Sequence, residues 1–177
     1  MALMRATGNA PKCADSPFRR KNGILPDTGI VEACMNIAKL IESRSSSDII
    51  SVTVDQPVSD AITLLASKRI GALPVMEEGR VAGIFSERDV IYRLAHEGET
   101  CLSRRIGEVM TSPAITVERS MLVDQALALM TRRRIRHLPV IDGEAMCGFI
   151  SIGDLVKSRM DEVQHEADAM RDYIAHA

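Results

Sequence analysis

The 177-residue chain contains no Trp, and aromatic residues make up only 3% of it. Binders of single-stranded nucleic acid stack bases on aromatic side chains, so this composition argues against that class. The formal net charge is -2, so no global basic field draws the chain to a polyanion. Uncharged apolar runs such as Ile70–Met76 are far too short to span a bilayer. No N-terminal stretch combines a basic start, an apolar core and a cleavage site, so no secretion signal is expected. The four cysteines (Cys13, Cys34, Cys101, Cys147) are scattered, without C-x-x-C spacing and without a histidine at metal-ligand spacing. They read as reduced thiols of a cytoplasmic protein, with Cys147 part of an apolar strand. An enzyme would need a nucleophile with a base, a metal cluster or paired carboxylates in a pocket. None is evident, so the chain is not read as a catalyst.

What is present is a core-forming sequence, 46% hydrophobic and 26% charged, that repeats itself. Shifted by 65 positions, residues 49–91 lie over 114–156 without a gap, and 13 of the 43 pairs are identical. Each copy reads as β-α-β-β-α. An apolar run comes first, Ile50–Val54 or Ala114–Val117. A helical pattern follows, with Val58, Ala61, Ile62 and Leu65 in one copy and Val123, Ala126, Leu127 and Met130 in the other. Two strands then flank a turn: Ala72–Met76 and Val81–Phe85 around Glu77–Arg80, and His137–Ile141 and Met146–Ile150 around Asp142–Glu144. A last helix opens at Ser86 or Ser151. One unit leaves an apolar sheet face uncovered, so two units are expected to bury each other's face, with a cleft between them.

The sharpest motif lies where the third strand meets the last helix. It reads Gly83-Ile84-Phe85-Ser86-Glu87-Arg88-Asp89, repeated as Gly148-Phe149-Ile150-Ser151-Ile152-Gly153-Asp154. Ser followed three residues later by an acid is a capping box, which only satisfies the first amides of the helix. The same geometry also suits a nucleotide. A helix N-terminus attracts phosphate, a Ser hydroxyl adds a bond, and an Asp one turn in can accept both ribose hydroxyls. The two readings do not exclude each other.

These segments, with Arg69-Ile70-Gly71-Ala72-Leu73-Pro74-Val75 and Arg134-Ile135-Arg136-His137-Leu138-Pro139-Val140, resemble the tandem CBS-domain proteins (Bateman modules) over roughly residues 36–160. Ser-Glu-Arg-Asp in the first copy, Ser-Ile-Gly-Asp in the second and the ending Met170–Ala175 resemble the stand-alone bacterial type. The resemblance implies an α/β (α+β) fold of two pseudo-two-fold-related units and a long C-terminal helix. It implies a regulatory module that binds AMP, ADP, ATP or NAD(H), not as a catalytic cofactor, and relays occupancy to an effector protein. It also implies sites that take an Asp from one copy and strand residues from the other. Site one would be Ser86, Arg88 and Asp89 with Ile115, Thr116, Arg136 and His137. Site two would be Ser151 and Asp154 with Ile50, Ser51, Gly71 and Ala72. Site two is expected to lack the arginines of site one, and so to bind a phosphorylated nucleotide more weakly.

The expected divisions are an irregular, disordered extension over 1–34, a first unit over 35–98, a linker over 99–113, a second unit over 114–160 and a helix extension over 161–177. The resemblance begins near Met35, which is a candidate start. The basic run Arg132–Arg136 reads as a solvated helix end rather than a nucleic-acid site. His137 reads as a structural residue unless phosphates lie beside it. Val156, Met160, Val163, Ala167, Met170 and Ile174 form a heptad seam. That seam suits either packing on its own domain or pairing across a homodimer, and the latter is preferred. The competing functional reading is an interaction or oligomerisation module with no physiological nucleotide.

Overall fold

The computed structural model of the protein describes residues 35–42 and 44–175. The expectations for residues 1–34 fall outside them. In chain order the elements are α1 (Ile37–Ile41), β1 (Val52–Thr53), α2 (Val58–Lys68), β2 (Ala72–Glu77), β3 (Arg80–Ser86) and α3 (Glu87–Glu97). They continue with α4 (Ile106–Val109), β4 (Val117–Glu118), α5 (Val123–Arg133), β5 (His137–Asp142), β6 (Ala145–Ser151) and α6 (Ile152–Ala175). The architecture is the expected mixed α/β class: two three-stranded sheets of order β1-β2-β3 and β4-β5-β6, and a long last helix.

The repeat survives in three dimensions residue for residue. Val52 pairs with Val75 in parallel, and Val117 pairs with Val140. The antiparallel hairpins carry a register shift at Val75/Met76 and at the equivalent Val140/Ile141. Both hairpins close through two residues. Glu78 and Gly79 both have positive φ (48° and 82°), whereas in the second only Gly143 does (63°). The twist of the flanking strands demands such turns. β1 and β4 are shorter than the apolar runs suggested, two residues each. β1 therefore pairs only with Val75 and Met76, which leaves Pro74, without an amide hydrogen, outside the ladder on that side.

Two cores form, one per sheet. Val52, Ala61, Leu73, Val75 and Phe85 anchor the first, and Val117, Ala126, Met130, Leu138, Val140 and Ile150 the second. Their outer covers are exchanged along the chain. Ile37 and Ile41 of α1 are buried in the second core although they precede the first unit, and Ile106 and Val109 of α4 close the first. Main-chain bonds fix the exchange. The amide of Ile37 donates to the Met121 carbonyl (2.9 Å), and that of Gly107 donates to the Val54 carbonyl (2.9 Å). Residues 37–41, expected in the first unit, thus pack in the second core, and α4, expected in the linker, packs in the first.

α3 has no buried residue. Ile91, Tyr92 and Leu94 are exposed on it, as are Val156, Met160, Val163, Met170 and Ile174 of the α6 seam. The seam therefore does not pack on its own domain. No helix among the described residues is long and apolar enough to cross a membrane.

Candidate functional site

Each strand-to-helix junction turns at an extended serine and is closed by the acid one turn on. The Ser86 amide and hydroxyl both donate to Asp89 Oδ2 (2.8 and 2.6 Å). Ser151 does the same to Asp154 Oδ2 (2.7 and 2.6 Å), and the Asp154 amide donates back to Ser151 Oγ (3.2 Å). The capping role is therefore real in both copies, and it occupies one oxygen of each carboxylate. The other oxygen faces the cleft, held differently in the two copies. Thr111 Oγ1 donates to Asp89 Oδ1 (3.1 Å), whereas Arg44 Nη2 donates to Asp154 Oδ1 (2.6 Å). Burial pushes the Asp154 carboxyl up, but the Arg44 guanidinium and the Ser151 hydroxyl and amide more than offset this and hold it below the ordinary range.

A cavity opens at each junction. The one beside Asp89 is about 330 Å³, and the one beside Asp154 is about 560 Å³. Both fall in the size range of small-molecule sites. Each is composite. The first joins Ser86, Arg88 and Asp89 of one unit to Arg136 and His137 of the other. The second joins Ser151 and Asp154 to Ile50, Gly71 and Ala72.

Not every expected residue arrives. Ile115 and Thr116 do not line the first cavity. The Ile84 amide donates to the Thr111 carbonyl (3.0 Å) and the Thr111 amide to the Ile84 carbonyl (2.9 Å), so Thr111 is the residue that meets Asp89. Ile115 instead packs against the second core. Ser51 is exposed and does not line the second cavity. Nor does the second site lack charge. Arg44 and Arg69 line it, balanced by Asp48 and Asp154. The first cavity carries Arg88, Arg133, Arg134 and Arg136 against Glu87 and Asp89, so a cationic excess does distinguish it. The basic run is thus not merely a solvated helix end.

His137, expected in the first site, lines both, as do Gly71 and Ala72. Its ring stacks on Phe149 (centroids 5.6 Å apart, planes 9° apart). Burial lowers its pKa from the ordinary imidazole value. Asp154 opposes that shift, Arg136 adds to it, and Glu87 opposes it. Cys147, half-buried, also faces the second cavity, and its thiol donates to the Val140 carbonyl (3.5 Å).

Arg69 and Arg134 had a signal in the sequence, an identical pair of charged residues in register. Both end their helices with φ in the left-handed region (54° and 56°), where glycine is the cheaper residue. Each lines a cavity from that position, Arg69 the second and Arg134 the first. Arg44 and Thr111 had no such signal, since both lie between elements and outside the aligned repeat.

The CBS-domain family model matches residues 41–96 and 106–161. The chain belongs to the CBS-domain family, with two domains in tandem. It is 37% identical over 127 residues to a mitochondrial CBS domain-containing protein of Arabidopsis thaliana, a match covering 69% of this chain and 62% of that protein. A solved CBS-domain protein from Burkholderia ambifaria is 40% identical, with a TM-score of 0.66, covering 72% of this chain and 95% of that one. The structure of CBSX2 in complex with AMP shares the fold at 22% identity and a TM-score of 0.61, covering 71% of this chain and 96% of that one.

Proposed function

We propose that the protein is a regulatory module that binds adenosine-containing nucleotides, AMP, ADP, ATP or NAD(H), in the cleft between its CBS units. The observation that carries this reading is the pair of composite cavities, each with a capped carboxylate on one wall and the start of the opposite unit's second strand on the other. A ligand seated there touches both units at once, so it can stabilise one relative arrangement over another. A conformational signal requires that difference in affinity. Asp89 and Asp154 would receive the ribose hydroxyls through Oδ1, with Arg44 released from Asp154 to meet phosphate. The cationic excess of the first cavity supports the tighter binding of phosphorylated ligands there. The AMP-bound structure with this fold is consistent with the ligand class. The output would be signalling through an effector protein rather than catalysis, in the cytoplasm or an equally reducing compartment.

Isothermal titration with AMP, ATP and NADH tests the reading. Binding by wild type that weakens at least tenfold in Asp89→Ala is expected. Unchanged affinity in Asp89→Ala, with loss only in Asp154→Ala, would place the principal site at the second cavity.

A second reading has its own observation, the exposed apolar face of α3 and α6. We propose that this face pairs two copies as a homodimer. If folded protein binds none of the three nucleotides, association through this face becomes the function and the cavities are vestigial.

A further inference from the structure

The two cavities differ most in how their cations are engaged. In the second, Arg44 is already paired with a carboxylate that lines the same cavity, Asp154. Arg69, the other arginine of that cavity, has no ion pair among the described residues; in the first cavity none of Arg88, Arg133, Arg134 and Arg136 has a carboxylate within ion-pair distance, and Glu87 and Asp89, which line it too, leave an excess of positive charge. Arg88 is held across the unit boundary, where its Nη1 donates to the Arg134 carbonyl (3.4 Å). Four arginines against two carboxylates around about 330 Å³ leave an excess of positive charge that an anionic ligand relieves.

A single phosphate holds its oxygens within one compact group, while the four arginines line the cavity from α3, the end of α5 and the segment before β5. Adjacent phosphates spread their oxygens along a chain and reach all of them. Arg134 lines the first cavity from the left-handed end of α5 (φ 56°), as Arg69 lines the second from the end of α2 (φ 54°). From the convergence of these unpaired arginines we infer that the first cavity selects ligands carrying two or more adjacent phosphates over monophosphates. This rests on the nucleotide reading of the same site, but the charge argument concerns the phosphate chain alone. The base and sugar are not needed to test it.

The test is titration of the full chain with inorganic tripolyphosphate and orthophosphate, and with ATP and AMP, for wild type, Arg134→Gly and Arg69→Gly. The two substitutions make the same change at equivalent backbone positions beside opposite cavities, and glycine suits the left-handed conformation, so both variants are expected to fold. Tripolyphosphate should bind wild type at least about tenfold more tightly than orthophosphate, with ATP ahead of AMP in the same sense. The preference should shrink in roughly 1 M salt, where the screening length falls to about 3 Å. Arg134→Gly should cut it several-fold, and Arg69→Gly, which removes a cation from the second cavity only, should cut it less. Equal binding of the short and long anions, or loss of the preference in Arg69→Gly alone, overturns the inference. AMP and ATP binding equally would overturn it and leave the nucleotide reading standing. Tripolyphosphate selected through Arg134 while neither nucleotide binds would keep the inference and sink the nucleotide reading.

Discussion

Gly83 and Gly148 occupy the same position in the two units, yet the same substitution should cost very different amounts. A Cβ on Gly83 would lie 2.8 Å from the Thr111 carbonyl oxygen and 2.5 Å from Met110 Sδ. The methionine can swing away, but the carbonyl moves only with its chain. To reach ordinary contact it must retreat by about 0.6 Å, which would lengthen the 3.0 Å bond from the Ile84 amide to about 3.6 Å, out of hydrogen-bond range. Overpacking costs about 1–3 kcal/mol, and each main-chain bond lost costs about 1 kcal/mol. Replacing a strand glycine returns about 0.5–1 kcal/mol. The net loss for Gly83→Ala is thus about 1–3.5 kcal/mol. On Gly148 the new Cβ would meet Ile41 Cδ1 at 3.0 Å and Cγ2 at 3.3 Å, the ends of a flexible side chain, and Val140 Cβ at 3.3 Å. A shift of a few tenths of an ångström suffices, and the net change is within about 1 kcal/mol of zero. Urea denaturation of the two variants beside wild type measures the difference, free of any strand-propensity effect common to both. Gly83→Ala should also weaken ligand binding at the first cavity, because Thr111 would release Asp89. Equal destabilisation by the two variants would refute the reasoning.

Further outcomes follow from the same geometry. His137 has a lowered folded pKa, so the folded and unfolded chains are both neutral there above the ordinary imidazole value; as the pH falls through that value the unfolded chain takes up the proton first. Stability should therefore decline from pH 7 towards pH 5 until the folded value is passed, and His137→Gln should flatten that decline; parallel stability curves from denaturation at each pH would contradict it. Arg80 and Glu144 join the two hairpin turns, but their side chains are 66% and 72% exposed. A double-mutant cycle should give about 0.5 kcal/mol or less, and a coupling of several times that would show that this contact locks the units together. Met160 is 67% exposed on the α6 seam. If that face pairs two copies, Met160→Lys should yield a folded monomer in light scattering where wild type is a dimer, and a wild-type monomer would dismiss the pairing.

Much of this molecule could be read from its residues because the relevant physics is local or periodic. The helical spacing of apolar residues set α2 and α5, alternation and turn residues set the two hairpins, and the Ser-x-x-Asp spacing set both helix caps. The 65-residue offset gave two units and a cleft, since a half-covered sheet must find a partner. The exchanged covers were decided by tertiary structure. Nothing in the spacing of Ile37 or Ile106 says which core an isolated apolar turn will bury, because only the path of the connecting segments brings it there. The same holds for the sites. Asp89 and Asp154 were legible as a motif, but Thr111 and Arg44, which hold their cleft-facing oxygens, come from connections without periodicity. The charge of the second cavity is not legible in the repeat for the same reason. Arg44 and Asp48 belong to it through chain path rather than through the repeat, and electrostatics depends on distance in space, which residue order alone does not supply.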